Sequence, residues 1–184
     1  MIRRLAKRLL SDLRGTLSVE MAIAMPILFA LMLSGVEVTR YVLLNQKVER
    51  ATATMADLVA QSRGLAEGDL DNLFAATGFV MAPFEIGANG LMVVSSIAAS
   101  GGAAPRVLWQ RTFGGGGGGS TFGTEGSDAV LPAGFLVRDN ENIITTEIFY
   151  DYEPAFTGTV MAPVELHNFA IFRPRFVNLT SIDP

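Results

Sequence analysis

Few side chains in this sequence are placed to do chemistry. Glu20 interrupts an otherwise apolar stretch five residues after Gly15. A carboxylate at the mouth of a membrane-length segment costs about 2–3 kcal/mol if unpaired, so it points to a partner or a function. Asp151 and Glu153 flank Tyr152, and alternation puts both carboxylates on one side of an extended strand. That pair could hold Ca²⁺ or a salt bridge, or it could solvate a strand end. His167 is the only histidine and cysteine is absent, which excludes histidine clusters, thiolate metal sites and disulfides. A serine nucleophile served by His167 would need an elbow such as GxSxG, and none occurs; on the strand-like VELHNFAIF, His167 reads as a sheet residue. Gly114 to Gly119 is a run of six glycines, but no GK[ST] follows it, so it is not a phosphate loop. Glycine maximises chain entropy, so the run is expected to be a mobile surface loop, or one that orders on contact with a partner subunit. Neither an enzyme nor a cofactor is expected.

The charge is uneven. Residues 1–15 carry five basic side chains and only Asp12 against them, a net of +4 within a chain of net −4, which leaves −8 on the remainder. The basic end reads as cytoplasmic under the positive-inside rule. The acidic remainder, with no basic patch laced with aromatics, argues against nucleic acid as a partner. Met21 to Val36 is a run of 16 uncharged residues, which with its flanks approaches the roughly 20 needed to cross a bilayer. Four readings fit this end. A cleaved secretory signal matches the basic and apolar regions, but Glu20 breaks the junction and no small-x-small site follows. A permanent single-pass anchor leaves Gly15 and Glu20 as accidents, and a buried helix of a soluble protein leaves the basic leader unexplained. A prepilin-type leader uses all three features: basic residues, a glycine before the membrane face, and Glu at the fifth position beyond it.

The stretch GTLSVEMAIAMPILFALMLSGVEVTRYVLLNQKVERATATMADLVAQSRG, Gly15 to Gly64, resembles the TadE/TadF-like pilin-like proteins of the Tad (Flp-type) pilus system. Gly15 matches the glycine before the family's cleavage point, Glu20 the family glutamate, Pro26 the proline within the apolar run, and Glu37 with Arg40 the acidic-to-basic exit. A softer likeness lies in ENIITTEIFYDYEPAF and the later FRPRF. The resemblance implies cleavage after Gly15 by a prepilin peptidase, giving a mature chain that starts at Thr16. It implies a pseudopilin or minor pilin that starts, caps or modifies an adhesive pilus, because the chain is long for the system's major pilin. Its implied partners are the peptidase, other major and minor pilins, the inner-membrane platform, the assembly ATPase and the lipid bilayer. The implied location is the inner membrane, crossed once, with a cytoplasmic N-terminus, a periplasmic head and incorporation into the extracellular pilus. In the filament, Glu20 would pair with the Thr16 amine of a neighbouring subunit. The competing assignment is a permanently anchored periplasmic binding or scaffolding protein.

These residues need elements to position them. Leu44, Val48, Ala51, Met55 and Leu58 or Val59 recur at three- and four-residue spacings, giving one apolar stripe on a helix. The stripe suits packing against the chain's own sheet or against neighbouring subunits. A continuous helix from Leu17 to Ser62 would have 46 residues and span about 69 Å. Within it, Pro26 removes one hydrogen bond and crowds the carbonyl of Ala22, so a kink or loosened turn is expected. Gly64 and Gly68 end the helix, and LDNLFAAT adds a helical turn or two. GLMVVSSIAAS and RVLWQRTF form an antiparallel pair around SGGAAP. Two more strands flank a turn at Asp139 to Asn142, and VELHNFAIFRPRFVN closes the sheet as an edge strand that tolerates Pro174. The expected fold is α+β and pilin-like: a leader at 1–15, a long helix at 16–64 whose first half spans the membrane, and a head at 65–184 with a four- or five-stranded sheet.

Overall fold

The computed structural model describes residues 15–156 and 161–183. The order of elements is α1 (Thr16–Ala60), α2 (Glu67–Met81), β1 (Gly90–Ala98), β2 (Arg106–Gly114), β3 (Asn142–Tyr152) and β4 (Val164–Phe172). They fall into two compact units, one drawn from Met1–Arg40 and Pro154–Ala162, the other from Tyr41–Glu153 and Pro163–Pro184.

In the second unit the strands form one antiparallel sheet of order β2-β1-β3-β4. The central strands β1 and β3 carry MVV and II, apolar and largely β-branched residues that suit a surface buried on both sides. One face packs on helices. The predicted stripe is buried there: Leu44, Val48, Ala51, Met55 and Val59 join Leu70, Phe74 and Met81 of α2 and Met92, Val94, Ile144 and Ile148 of the sheet. Leu58 instead lies on the exposed side. The stripe therefore meets its own sheet. Tyr41 adds an edge-on contact to Tyr152, with ring centroids 5.4 Å apart.

Irregular chain covers the other face, where Ile97, Val107, Phe122 and Ile143 are buried with Leu131, Phe135 and Val137 packed on them. This corrects the expectation of a strand before the Asp139–Asn142 turn: residues 134–138 form no strand, and Phe135 and Val137 supply cover. Among the described residues the sheet has four strands. β4 ends at Phe172, so Pro174 lies beyond it and removes no ladder donor. The segment holding LDNLFAAT is longer than expected, a 15-residue helix. Its start is favoured by Glu67 and Asp69 near the positive helix end, and Asp69 Oδ2 accepts the Ala66 N–H at 3.1 Å. Its extent was missed because Gly68 read as a helix end, whereas burial of Leu70, Phe74 and Met81 outweighs the cost of about 1 kcal/mol for each glycine within the helix.

The C-terminal segment binds the layers together. Arg175 N–H donates to Ala60 O at 2.9 Å, satisfying a carbonyl at the end of α1. Leu179 O accepts from Trp109 Nε1 at 2.9 Å and from Ser96 Oγ at 2.7 Å, while Leu179 N–H donates to Asn142 Oδ1.

The glycine run is not free chain. Gly115 N–H donates to Gly87 O at 2.7 Å, and Gly116 N–H to Gly90 O at 3.0 Å. A Cβ at Gly114 would sit 2.2 Å from Gly90 O, one at Gly116 2.8 Å from Gly90 C, and one at Gly118 3.3 Å from the Phe149 ring. Glycine is needed at 114 and 116 for close approach of backbone to backbone and at 118 for a positive φ beside an aromatic ring, roles that composition alone cannot distinguish from a flexible linker.

Candidate functional site

In the first unit, α1 runs without interruption through Pro26. Its apolar side chains from Leu17 to Val38, among them Ile23, Phe29 and Leu31, are largely exposed. The helix is long and apolar enough to cross a membrane. Its hydroxyls are satisfied within the helix: Ser34 Oγ donates to Ala30 O at 2.7 Å, and Thr39 Oγ1 to Gly35 O at 2.8 Å. Such i−4 bonds leave little polar demand on an apolar surrounding.

Two carboxylates on this part of α1 behave oppositely. Glu37 is fully buried, and its two oxygens accept the backbone N–H groups of Ala155 and Phe156 at 3.2 and 3.3 Å. Hydrogen bonds from backbone amides stabilise a carboxylate taken out of water. Glu20 is exposed, and among the described residues it makes no hydrogen bond and no ion pair. Thr16 stands one i,i+4 step before it, and both lie in the first turns of α1 with Gly15 just ahead. A Cβ at Gly15 would meet nothing within 4 Å, so the fold itself does not require glycine there. The basic residues before it lie outside the described residues.

The second unit holds a carboxylate that pattern reading passed over. Glu147, in the middle of β3, is buried. It accepts the Thr121 N–H at 2.9 Å and the Thr121 hydroxyl at 2.5 Å, and Ser120 Oγ also donates to it. His167 Nε2 lies 3.2 Å from its Oε1, and the His167 ring stacks on Phe149 at 4.3 Å. The Ser120 hydroxyl is turned to the carboxylate and not to the imidazole, so no serine–histidine relay is assembled. The cluster fixes the end of the glycine run to the sheet. A charge within the apolar strand IITTEIFY was the available signal. His167 is the sheet residue expected, and Trp109, Tyr150 and Tyr152 pack in the core.

Asp151 and Glu153 are exposed, and Asp151 stands directly opposite Glu165 in the β3–β4 register. Among the described residues no group of three or more histidine or carboxylate side chains is placed to hold a metal ion. On the surface, Arg111 joins Glu67 to Glu125, with Nε–Oε distances to Glu67 of 2.9 and 3.0 Å. The hydrogen bond from Arg111 holds the Glu67 carboxyl below its ordinary range, and the bond to Glu67 raises Arg111 in turn.

The arrangement that sets this chain apart is therefore a lipid-compatible helix with one unpaired carboxylate near its start. Residues 15–57 match the family of TadE-like proteins. The TadE-like stretch begins at Gly15 and contains Thr16, Glu20, Pro26 and Glu37. The softer likeness at 141–156 and 172–176 lies outside it. No curated protein and no solved structure matches the chain.

Proposed function

We propose that this chain is a minor pilin-like subunit of a Tad-type pilus, held in the inner membrane by the first half of α1 and processed after Gly15. The unpaired Glu20 on a membrane-compatible helix, within the TadE-like stretch, carries this reading. A prepilin peptidase would release Thr16 with a new positive amine. Glu20 of one subunit then pairs with the Thr16 amine of its neighbour, which offsets the cost of moving both charges into an apolar bundle and makes register part of recognition. The basic leader stays cytoplasmic and the head is periplasmic. Platform, assembly ATPase and other pilins act on this membrane pool to start, cap or modify the filament. Pro26 lacks the donor that would bond Ala22, which eases bending as the helix leaves the membrane.

The test compares Glu20→Gln with wild type in one strain, measuring leader removal, membrane level and pilus incorporation. The expected variant is cleaved and membrane-held but poorly incorporated, because the neighbour's amine would enter the bundle unpaired. Full incorporation of Glu20→Gln with normal pili would reject charge pairing.

A further inference from the structure

The two edges of the sheet are treated differently. β2 is covered: Val107 N–H donates to Ser127 O at 3.0 Å, Gly126 N–H to Val107 O at 2.8 Å, and Gln110 N–H to the Glu125 carboxylate at 3.2 Å. A register shift at Ser96/Ile97 further distorts the β1–β2 pairing. β4 has none of these protections. Its register with β3 is unbroken from Val164 to Phe172, and the strand contains no proline, lysine or arginine. Among the described residues, its backbone makes no hydrogen bond other than those to β3. A straight, unguarded edge of this kind is a template for another strand, and folded proteins ordinarily blunt it.

The chemistry of the edge selects its occupant. On one face Glu165, His167 and Phe169 follow in alternation, with Phe169 45% exposed. Glu165 faces Asp151 across the ladder, and Glu153 lines the same recess as both. Like charges directly opposite one another destabilise a sheet, and among the described residues no cation forms an ion pair with any of the three. We propose that the outer edge of β4 is a strand-addition site for an extended segment of a partner protein, with a Lys or Arg facing Glu165 and an apolar residue four positions away facing Phe169. Main-chain hydrogen bonds supply the affinity, and the acidic end sets the register. A second copy of β4 is the poorer occupant: the strand itself carries no lysine or arginine, and Arg173 and Arg175 just beyond it are already paired with Glu141 and Asp57. The site lies wholly on the unit containing the sheet and does not depend on the pilus assignment.

The probes are synthetic Thr/Val peptides of the strand's length, ending in lysines at either terminus, and their glutamate counterparts. Full-length protein in detergent micelles is titrated with each, and amide hydrogen exchange is read across residues 164–172. A lysine-ended peptide is expected to slow exchange there, while the glutamate peptides bind more weakly by about fivefold per opposed charge pair. Glu165→Lys, at an exposed position, leaves Asp151 and Glu153 in place and should narrow that preference, with a melting temperature no lower than wild type because the new lysine would then face Asp151. The proposal is overturned by any of three results: no peptide protects β4, both charges protect it equally in wild type and variant, or protection rises with protein concentration alone, which would assign the edge to a second copy.

Discussion

Alanine substitution along the glycine run separates a packed strap from a flexible linker. At Gly114 φ is +104°, and an added Cβ would lie 2.2 Å from Gly90 O. The left-handed conformation costs a side-chain-bearing residue about 1–2 kcal/mol. Forcing the β1–β2 backbones apart adds about 1–3 kcal/mol, the usual range for overpacking. Gly114→Ala should therefore destabilise by about 2–5 kcal/mol. Gly116→Ala carries the overlap with Gly90 without a positive φ, so about 1–3 kcal/mol is expected. Gly118→Ala combines a φ of +115° with the 3.3 Å approach to Phe149 and should fall between them. Gly117 and Gly119 have open space where the Cβ would go, so alanine there should stabilise by about 0.4–1 kcal/mol through the unfolded chain. Thermal unfolding of the detergent-solubilised chain, followed by the fluorescence of buried Trp109, reads these differences at about 4 °C per kcal/mol. Five variants melting within about 2 °C of one another would refute the packed-strap assignment.

Other perturbations test separate parts of the structure. Glu37→Ala removes the carboxylate that the Ala155 and Phe156 amides donate to, at about 1 kcal/mol for each bond because both residues are open to water; hydrogen exchange at those two amides should accelerate, and less so in Glu37→Gln. Because Glu67 titrates lower in the folded chain than in the unfolded one, its contribution is complete above the unfolded carboxylate range and is lost as pH falls through the folded value. Both groups are largely exposed, so the effect is small and salt-sensitive; Arg111→Met should flatten the acid side of a stability–pH curve, and an unchanged curve would count against the pairing. Gly15→Leu should leave the leader attached, whereas normal cleavage of that variant by mass spectrometry would remove Gly15 from the processing site.

Residues whose role follows from periodicity were legible in the sequence. The stripe from Leu44 to Val59 announced a buried helix face, and the apolar runs of β1 and β2 on either side of the SGGAAP turn announced a strand pair. Gly15, Glu20 and the apolar run stood out because charge and hydrophobicity conflict there. What stayed hidden depends on contacts distant in sequence. Glu147 is buried because Ser120, Thr121 and His167 reach it, and nothing local to β3 says that they will. The glycine run looked mobile because entropy is visible in composition, whereas the approach to Gly90 is visible only in the fold. Phe135 and Val137 carried a strand-like pattern, yet they serve as cover for the second face of the sheet, where they pack on Ile97, Val107, Phe122 and Ile143, contacts no local pattern announces.

The most direct measurement is the N-terminal residue of the chain recovered from cells, read by intact mass and N-terminal peptide sequencing of the membrane fraction and of sheared pili. Thr16 as the first residue in both fractions is the expected result, with Gly15 and the basic residues before it removed. Recovery of Met1 as the sole N-terminus, with none of the chain in the pilus fraction, would contradict the assignment and leave a permanently anchored membrane protein.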